Sequence, residues 1–181
     1  NELIPQLNNI PFKHMLNTSG IINYAEEAQF EMVRLGIGLY GFGNDQKETS
    51  KLKNVLTLKS VISQIHTIEK GESLGYNRSY IAETTTKTAT IPIGHADGIS
   101  RQFGKGKGFV YINNKKAPIV GNVCMDVIMV NITNITCNEG DEVIIYRDQQ
   151  HIEEIAKSAN TIPYELLTAI SQRVKRVLKK C

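Results

Sequence analysis

Between residues 55 and 147 the sequence permits little besides a β-rich domain. Short apolar runs follow one another at intervals too brief for helices, each bounded by turn residues. Leu56, Leu58, Val61, Ile65 and Ile68 fall near period two with one slip, which predicts a long strand over 55–68 carrying a bulge. Glu69 to Glu72 reads as a turn. The Thr- and Ile-rich stretch from Thr84 to Ile93 has strand composition. Val110 to Ile119 reads as a hairpin around Asn113-Asn114. Val123–Ile132 and Glu142–Tyr146 are further strands, with Glu139-Gly140-Asp141 as the turn between them. The expected fold class is mostly β, a small antiparallel barrel-like or sandwich domain.

The flanks differ. Asn1 to Leu7 reads as the tail of a helix, and Phe12 to Leu16 as a short strand before the turn-rich Asn17-Thr18-Ser19-Gly20. Tyr24 to Met32 has helical composition, and Val33 to Tyr40 reads as another strand. That alternation is the rhythm of parallel α/β architecture. Two such units cannot close a sheet alone, so residues 1–43 are expected to be the end of an α/β barrel, truncated, with 44–181 as the β domain. The polar run 44–54 reads as a linker or surface crossing. The chain opens on Asn1 in mid-pattern, as a piece cut from something longer would. At the other end Ile152, Ile155 and Ala156 mark one helix. Pro163 suits the first turn of a second, whose stripe is Leu166, Leu167, Ile170 and Val174. Arg173, Lys175, Arg176, Lys179 and Lys180 read as a solvated helix end that complements the dipole.

A net charge of +3 over 181 residues, without tryptophan or aromatics set among arginines, argues against a nucleic-acid partner. No apolar run is long enough for a membrane span. The cysteines Cys124, Cys137 and Cys181 form neither a CxxC pair nor a zinc-type cluster, so no metal is expected. Sparse cysteine without a secretion signal fits a reducing, cytoplasmic location.

Six strings carry the chemistry. In order they are His14-Met15-Leu16-Asn17-Thr18, Arg34-Leu35-Gly36-Ile37-Gly38-Leu39-Tyr40-Gly41 and Leu74-Gly75-Tyr76-Asn77-Arg78-Ser79-Tyr80. Ile93-Gly94-His95-Ala96-Asp97-Gly98, Gly121-Asn122-Val123-Cys124-Met125-Asp126 and Ile162-Pro163-Tyr164-Glu165 follow. Each is weak alone. Together, in this order over nearly the whole chain, the series resembles the C-terminal half of alanine racemases, the barrel-type family that uses pyridoxal 5'-phosphate.

The resemblance implies an antiparallel β-barrel-like C-terminal domain behind a remnant of the (β/α)8 barrel, and a role in interconverting L-alanine and D-alanine for peptidoglycan synthesis. The family works with two bases on opposite faces of the substrate, one the lysine that holds the cofactor and the other a tyrosine, which Tyr76 matches. A planar carbanion needs an acid/base group on each side, and a phenol with an ordinary pKa near ~10 serves only if its neighbours lower that value. Arg78 stands close in sequence. Arg34 resembles the arginine facing the pyridine nitrogen; a guanidinium keeps its proton, so that nitrogen stays unprotonated. His14 resembles the histidine that supports this arginine. Gly36 and Ile37 match backbone amides on the phosphate, Thr18 a hydroxyl usually supplied by Ser, and Tyr164 a tyrosine that reaches the phosphate and the site's mouth. Met125 matches the residue whose backbone amide binds the substrate carboxylate, with Cys124 and Asp126 flanking the pocket. Cys124 is not read as a nucleophile, because no activating partner is evident.

Two departures stand out. His95 replaces the Tyr usual at the mouth of the site, a smaller group that keeps hydrogen-bonding capacity. Asn77 replaces a common Gly beside Tyr76. The cofactor lysine has no counterpart here, since Lys13 and Lys51 lie in the wrong contexts, so this chain by itself is expected to be inactive. The family is a homodimer in which each C-terminal domain completes the site on the barrel domain of its partner subunit. The wording from Gln29 to Gly41 also resembles racemases fused behind a cell-wall ligase. Three other readings stay open: a racemase for serine or another small amino acid, an independent β-barrel binding module, and a regulatory paralogue without activity.

Overall fold

The computed structural model describes residues 9–179. The helix tail expected at Asn1 to Leu7 lies outside the described residues. The chain divides into two compact units, with the boundary in the sequence between Val55 and Leu56.

In the first unit, helix α1 spans Thr18–Ala28, and the short helix α2 spans Gln46–Thr49. The turn-rich Asn17–Gly20 is in fact the start of α1. The Asn17 side chain accepts from the Gly20 N–H at 3.0 Å, an N-cap that satisfies one of the open amides of the first turn. The helix therefore begins earlier and ends earlier than the expected Tyr24–Met32. No strand forms among the described residues of this unit, which corrects both strands expected there. The two segments do lie side by side: the Met32 amide donates to Lys13 O (3.3 Å) and the Arg34 amide to Leu16 O (2.8 Å). Two bonds with unequal spacing make no ladder, and Gly36 at φ +54° turns the chain into a 3-10 turn over Gly36–Tyr40. The supposed linker carries α2, capped by Asp45, whose side chain accepts from the Glu48 amide at 2.8 Å. Glu48 is only 5% exposed. Its carboxylate collects Ser19 Oγ, Asn23 Nδ2 (2.6 Å) and the Asn44 amide (2.8 Å), and these donors, Ser19 foremost, hold it below the usual carboxylate range.

The second unit is an antiparallel sheet. Its strands are β1 (Leu58–Val61), β2 (Gln64–Ile68), β5 (Thr86–Ile91), β6 (Phe109–Ile112), β7 (Lys115–Val120), β8 (Ile128–Asn131) and β9 (Glu142–Tyr146). A separate hairpin is made by β3 (Ser73–Leu74) and β4 (Tyr80–Ile81). The spatial order is β1-β9-β6-β7-β8-β5-β2. Its two edge strands are consecutive in sequence, with only Ile62 and Ser63 between them. The Ile62 amide bonds Asp141 O beside β9, and the Ser63 amide bonds Thr90 O on β5. The sheet therefore curls until both edges meet on one stretch of chain, which leaves little edge open to another strand.

The long strand expected over 55–68 is thus two strands with different neighbours. The slip in its pattern corresponds to a register shift at Leu58/Lys59 and to this change of partner. The hairpin at Asn113-Asn114 forms as expected, with both asparagines at positive φ (49° and 61°), the geometry of a tight I′ turn. The strand expected from Val123 shortens to β8, because residues 121–127 form a loop. Glu139-Gly140-Asp141 does turn the chain into β9, but β8 and β9 are not paired.

The core is apolar and β-branched: Ile91, Ile112, Ile119, Ile128, Val130 and Val143 are fully buried, each contributing about 1.5–3 kcal/mol from burial. Helix α3 (Gln149–Ser158) adds Ile152, Ile155 and Ala156. Helix α4 (Pro163–Thr168) adds Leu166 and Leu167, with proline in its first turn. This helix stops well short of the expected stripe through Val174. The Ser171 amide bonds Asp97 O at 3.0 Å, and Gly98 presses so close to Ala169 O that a Cβ would sit 2.2 Å from it. Arg173, Lys175, Arg176 and Lys179 are therefore not a helix end, Lys180 lies outside the described residues, and Arg173 is not merely solvated.

Candidate active site

The expected site residues fall into both units, five in each.

In the first unit, α1 and the 3-10 turn build a small cradle. The Thr18 hydroxyl is buried, donates to Leu35 O and accepts from the Gly38 amide at 3.0 Å. A Cβ on Gly38 would meet the Thr18 methyl at 2.8 Å, so only glycine lets the turn close on that hydroxyl. The Gly36 and Ile37 amides are the first of the turn and, among the described residues, are given to no acceptor. Thr18, Gly36 and Ile37 are thus brought together. Arg34 is exposed and its guanidinium Nη2 donates to Met15 O at 2.9 Å. No hydrogen bond joins it to His14 among the described residues.

In the second unit, the β3–β4 hairpin carries Tyr76 at its tip. Gly75 (φ 78°), Asn77 (φ 56°) and Arg78 (φ 49°) all take left-handed backbone, which bends the tip tightly. Asn77 tolerates this where most residues would not. Tyr76 is 73% exposed, with no hydrogen bond to Arg78 among the described residues. The Ser79 hydroxyl, just beyond the tip, accepts from the Asn122 amide at 3.1 Å and ties the hairpin to loop 121–127.

Met125 lies on that loop. Its amide is given to no acceptor among the described residues, whereas its carbonyl accepts from the Ala96 amide (2.9 Å), and Cys124 O from the His95 amide (2.9 Å). A Cβ on Gly94 would come within 2.5 Å of Met125 O, so glycine permits the His95 turn to lie directly on the loop. His95 is exposed, with Nδ1 3.3 Å from Ile99 O, at the rim of a cavity of about 400 Å³ lined also by Ser100, Thr161, Glu165 and Leu166. Tyr164 is exposed on α4. The hairpin, the His95 turn and the Met125 loop are therefore one hydrogen-bonded assembly.

The sequence reading missed what holds that assembly. Asp97, only 8% exposed, accepts from the Gly94 amide (2.8 Å) and takes a bidentate pair from Arg173, Nε to Oδ1 at 2.7 Å and Nη2 to Oδ2 at 3.1 Å. The same guanidinium reaches Asp126 Oδ1 at 2.7 Å. The Arg173 hydrogen bond is the main reason the Asp97 carboxyl lies below its ordinary value. Asp97 stood within a noted string, but nothing in sequence links it to a residue so far along the chain.

Cys124 and Cys137 are free and half-buried. Burial pushes the Cys137 thiol up, away from a reactive thiolate. No helix among the described residues is long and apolar enough to cross a membrane.

The match to known families follows the two units. The model of the alanine racemase C-terminal domain covers residues 55–178, and that of the alanine racemase N-terminal domain covers residues 1–43. The chain belongs to the alanine racemase family. It is 40% identical to the alanine racemase of Helicobacter pylori (strain Shi470) over 192 residues, 98% of this chain and 51% of that protein. It is 42% identical over 163 residues to that of Vesicomyosocius okutanii, covering 90% of this chain and 46% of the other. Among solved structures, alanine racemase from D-cycloserine-producing Streptomyces lavendulae aligns with a TM-score of 0.85 at 27% identity, over 99% of this chain and 50% of that one. The alanine racemase from Bartonella henselae with covalently bound pyridoxal phosphate aligns with a TM-score of 0.78 at 36% identity, over 91% of this chain and 46% of that one. The chain thus spans about half the length of the alanine racemases it matches.

Proposed function

We propose that this chain is the C-terminal portion of an alanine racemase that interconverts L-alanine and D-alanine, and that Tyr76 is one of its two bases. Residues 1–43 end the cofactor-binding barrel and 44–181 form the C-terminal β domain, in keeping with the two family matches. The observation that carries the reading is Tyr76 itself. Its phenol stands exposed on a tightly bent hairpin that is tied through Ser79 and Asn122 to the loop presenting the free Met125 amide.

The residues fit pyridoxal 5'-phosphate. Gly36 and Ile37 offer unclaimed amides beside a buried hydroxyl, the donor set an anion needs. Thr18 would hold the phosphate with them once its proton turns from Leu35 O. Arg34 would donate to the pyridine nitrogen without protonating it, with His14 as its support. Tyr164 on α4 keeps the cofactor-binding role that the family resemblance assigns it. When bound, the cofactor supplies the electron sink that acidifies the alanine Cα–H.

This chain's residues do the rest. The Met125 amide binds the substrate carboxylate, flanked by Asp126. Tyr76 gives and takes the proton on one face of Cα through its phenolic oxygen. His95 lines the mouth of the site. The second base and the covalent attachment belong to a lysine on the barrel, which comes from a partner subunit in a homodimer. The product serves peptidoglycan synthesis in the cytoplasm. His95 in place of tyrosine also favours a second reading, turnover of serine or another small amino acid, which a substrate profile of the complete racemase separates from the first.

The test of Tyr76 is Tyr76→Phe in the complete racemase. Loss of the hydroxyl alone should slow racemisation by about 10²–10⁴-fold with the cofactor still bound. Activity near wild type would remove Tyr76 from the chemistry.

A further inference from the structure

We infer that Arg173 is a positioning residue that sets the affinity for the substrate carboxylate by locking the Met125 loop onto the His95 turn. The inference rests on the proposed role of the Met125 amide.

An amide that binds a carboxylate must be held within roughly 0.5 Å of its working position. Loop 121–127 belongs to no strand, so no sheet ladder fixes it. Individual bonds do. The Asn122 amide donates to Ser79 Oγ (3.1 Å), the Lys105 amide to Gly121 O (2.6 Å), the His95 and Ala96 amides to the Cys124 and Met125 carbonyls and the Cys124 amide to Val127 O (3.1 Å), and Arg173 clasps Asp126. Among the described residues, Arg173 is the one side chain that grips both segments: its fork takes both oxygens of Asp97, within the His95 turn, while Nη2 also reaches Asp126, the next residue after Met125.

Arg173 is itself held. The Ser171 amide bonds Asp97 O at 3.0 Å. Arg176 donates to the carbonyls of Ile170, Ser171 and Val174 at 2.7–2.9 Å, closing the backbone around residue 173. A lysine offers one point of charge and cannot span two carboxylates as a planar fork does. Arg173 is half exposed and its bond to Asp126 more so, so its effect on global stability is small. Its effect on the geometry of one loop is direct.

The kinetic signature follows. The substrate carboxylate does not react, so the Met125 amide binds it equally before and during proton transfer. Loosening such a contact raises KM and leaves kcat unchanged, whereas a fold-wide defect lowers the active fraction and hence kcat.

Two experiments test the inference. In the complete racemase, Arg173→Ala should raise KM for alanine about tenfold with kcat within about twofold, and Arg173→Lys should fall between it and wild type. Asp126→Asn, which removes the exposed arm alone, should raise KM in the same direction, and the double variant should do no more than the worse single one. An unchanged KM, or a fall in kcat at constant KM, overturns the inference. In this chain by itself, amide hydrogen exchange at His95 and Ala96 should quicken in Arg173→Ala while exchange in β5 and β8 does not. Unchanged exchange at His95 and Ala96 also overturns it. If the wild-type complete protein does not racemise alanine, the functional reading fails, and the exchange experiment still decides whether Arg173 locks the loop.

Discussion

His151 shows how a single residue can set the pH range of the fold. Its ring is 1% exposed, stacked on Phe109 with centroids 5.0 Å apart and edge-on to Tyr111 at 4.7 Å. Nδ1 accepts from the Arg147 amide at 3.2 Å, which requires the neutral ring. Lys116 lies over the Phe109 ring and Arg147 over that of Tyr111, so cations face the cluster, while Asp148 and Glu154 oppose them. Burial dominates and pushes the imidazole down to about 4. The ring takes up a proton near ~6.5 in the unfolded chain. Between that value and 4 the unfolded state binds more protons, so stability falls as pH falls through this window. The urea midpoint of wild type should therefore drop between pH 7 and pH 5 by more than that of His151→Gln. Equal drops would mean the ring does not stay neutral when folded. Asp148 offers a second check at this scale: it caps α3 by accepting from the His151 amide at 2.9 Å, and Asp148→Ala should cost about 1 kcal/mol in the same titration.

At the scale of elements, the site is a matter of turns resting on a curled sheet. Gly94 is a tight joint, with no room for a methyl between the His95 turn and the Cys124–Asp126 backbone. Gly94→Ala should cost about 2 kcal/mol or more and should weaken alanine binding in the complete racemase. A variant with wild-type stability and KM would show that the two loops are not in register. The same elements explain what the sequence could convey. Period two and turn residues located β5, β6, β7 and β9 and the Asn113-Asn114 turn, because those signals are local. The break at Ile62-Ser63 was hidden, since a chain segment that changes neighbours keeps its own alternation. The strand expected at Val33–Tyr40 failed because glycine at positive φ bends a segment whose apolar spacing is otherwise strand-like. The pairing of Arg173 with Asp97 and Asp126 leaves no local trace at all. The Tyr76, His95 and Met125 strings were legible only through their resemblance to a family. Their joining through Ser79, Asn122 and Gly94 is legible only in three dimensions.

At the scale of the whole molecule, the chain is one share of a divided site. In the proposed division of roles Tyr76 is one base, the Met125 amide binds the substrate carboxylate and Thr18, Gly36 and Ile37 take the phosphate, while the cofactor lysine belongs to the barrel. Lys13 is engaged with Glu31 at 3.1 Å. The most direct measurement is racemisation of L-alanine with added pyridoxal 5'-phosphate, by this chain and by a form extended N-terminally through the barrel lysine. Turnover is expected from the extended form and none from this chain. Turnover by this chain alone would mean that one of its own lysines carries the cofactor, and would contradict the division of roles proposed for it.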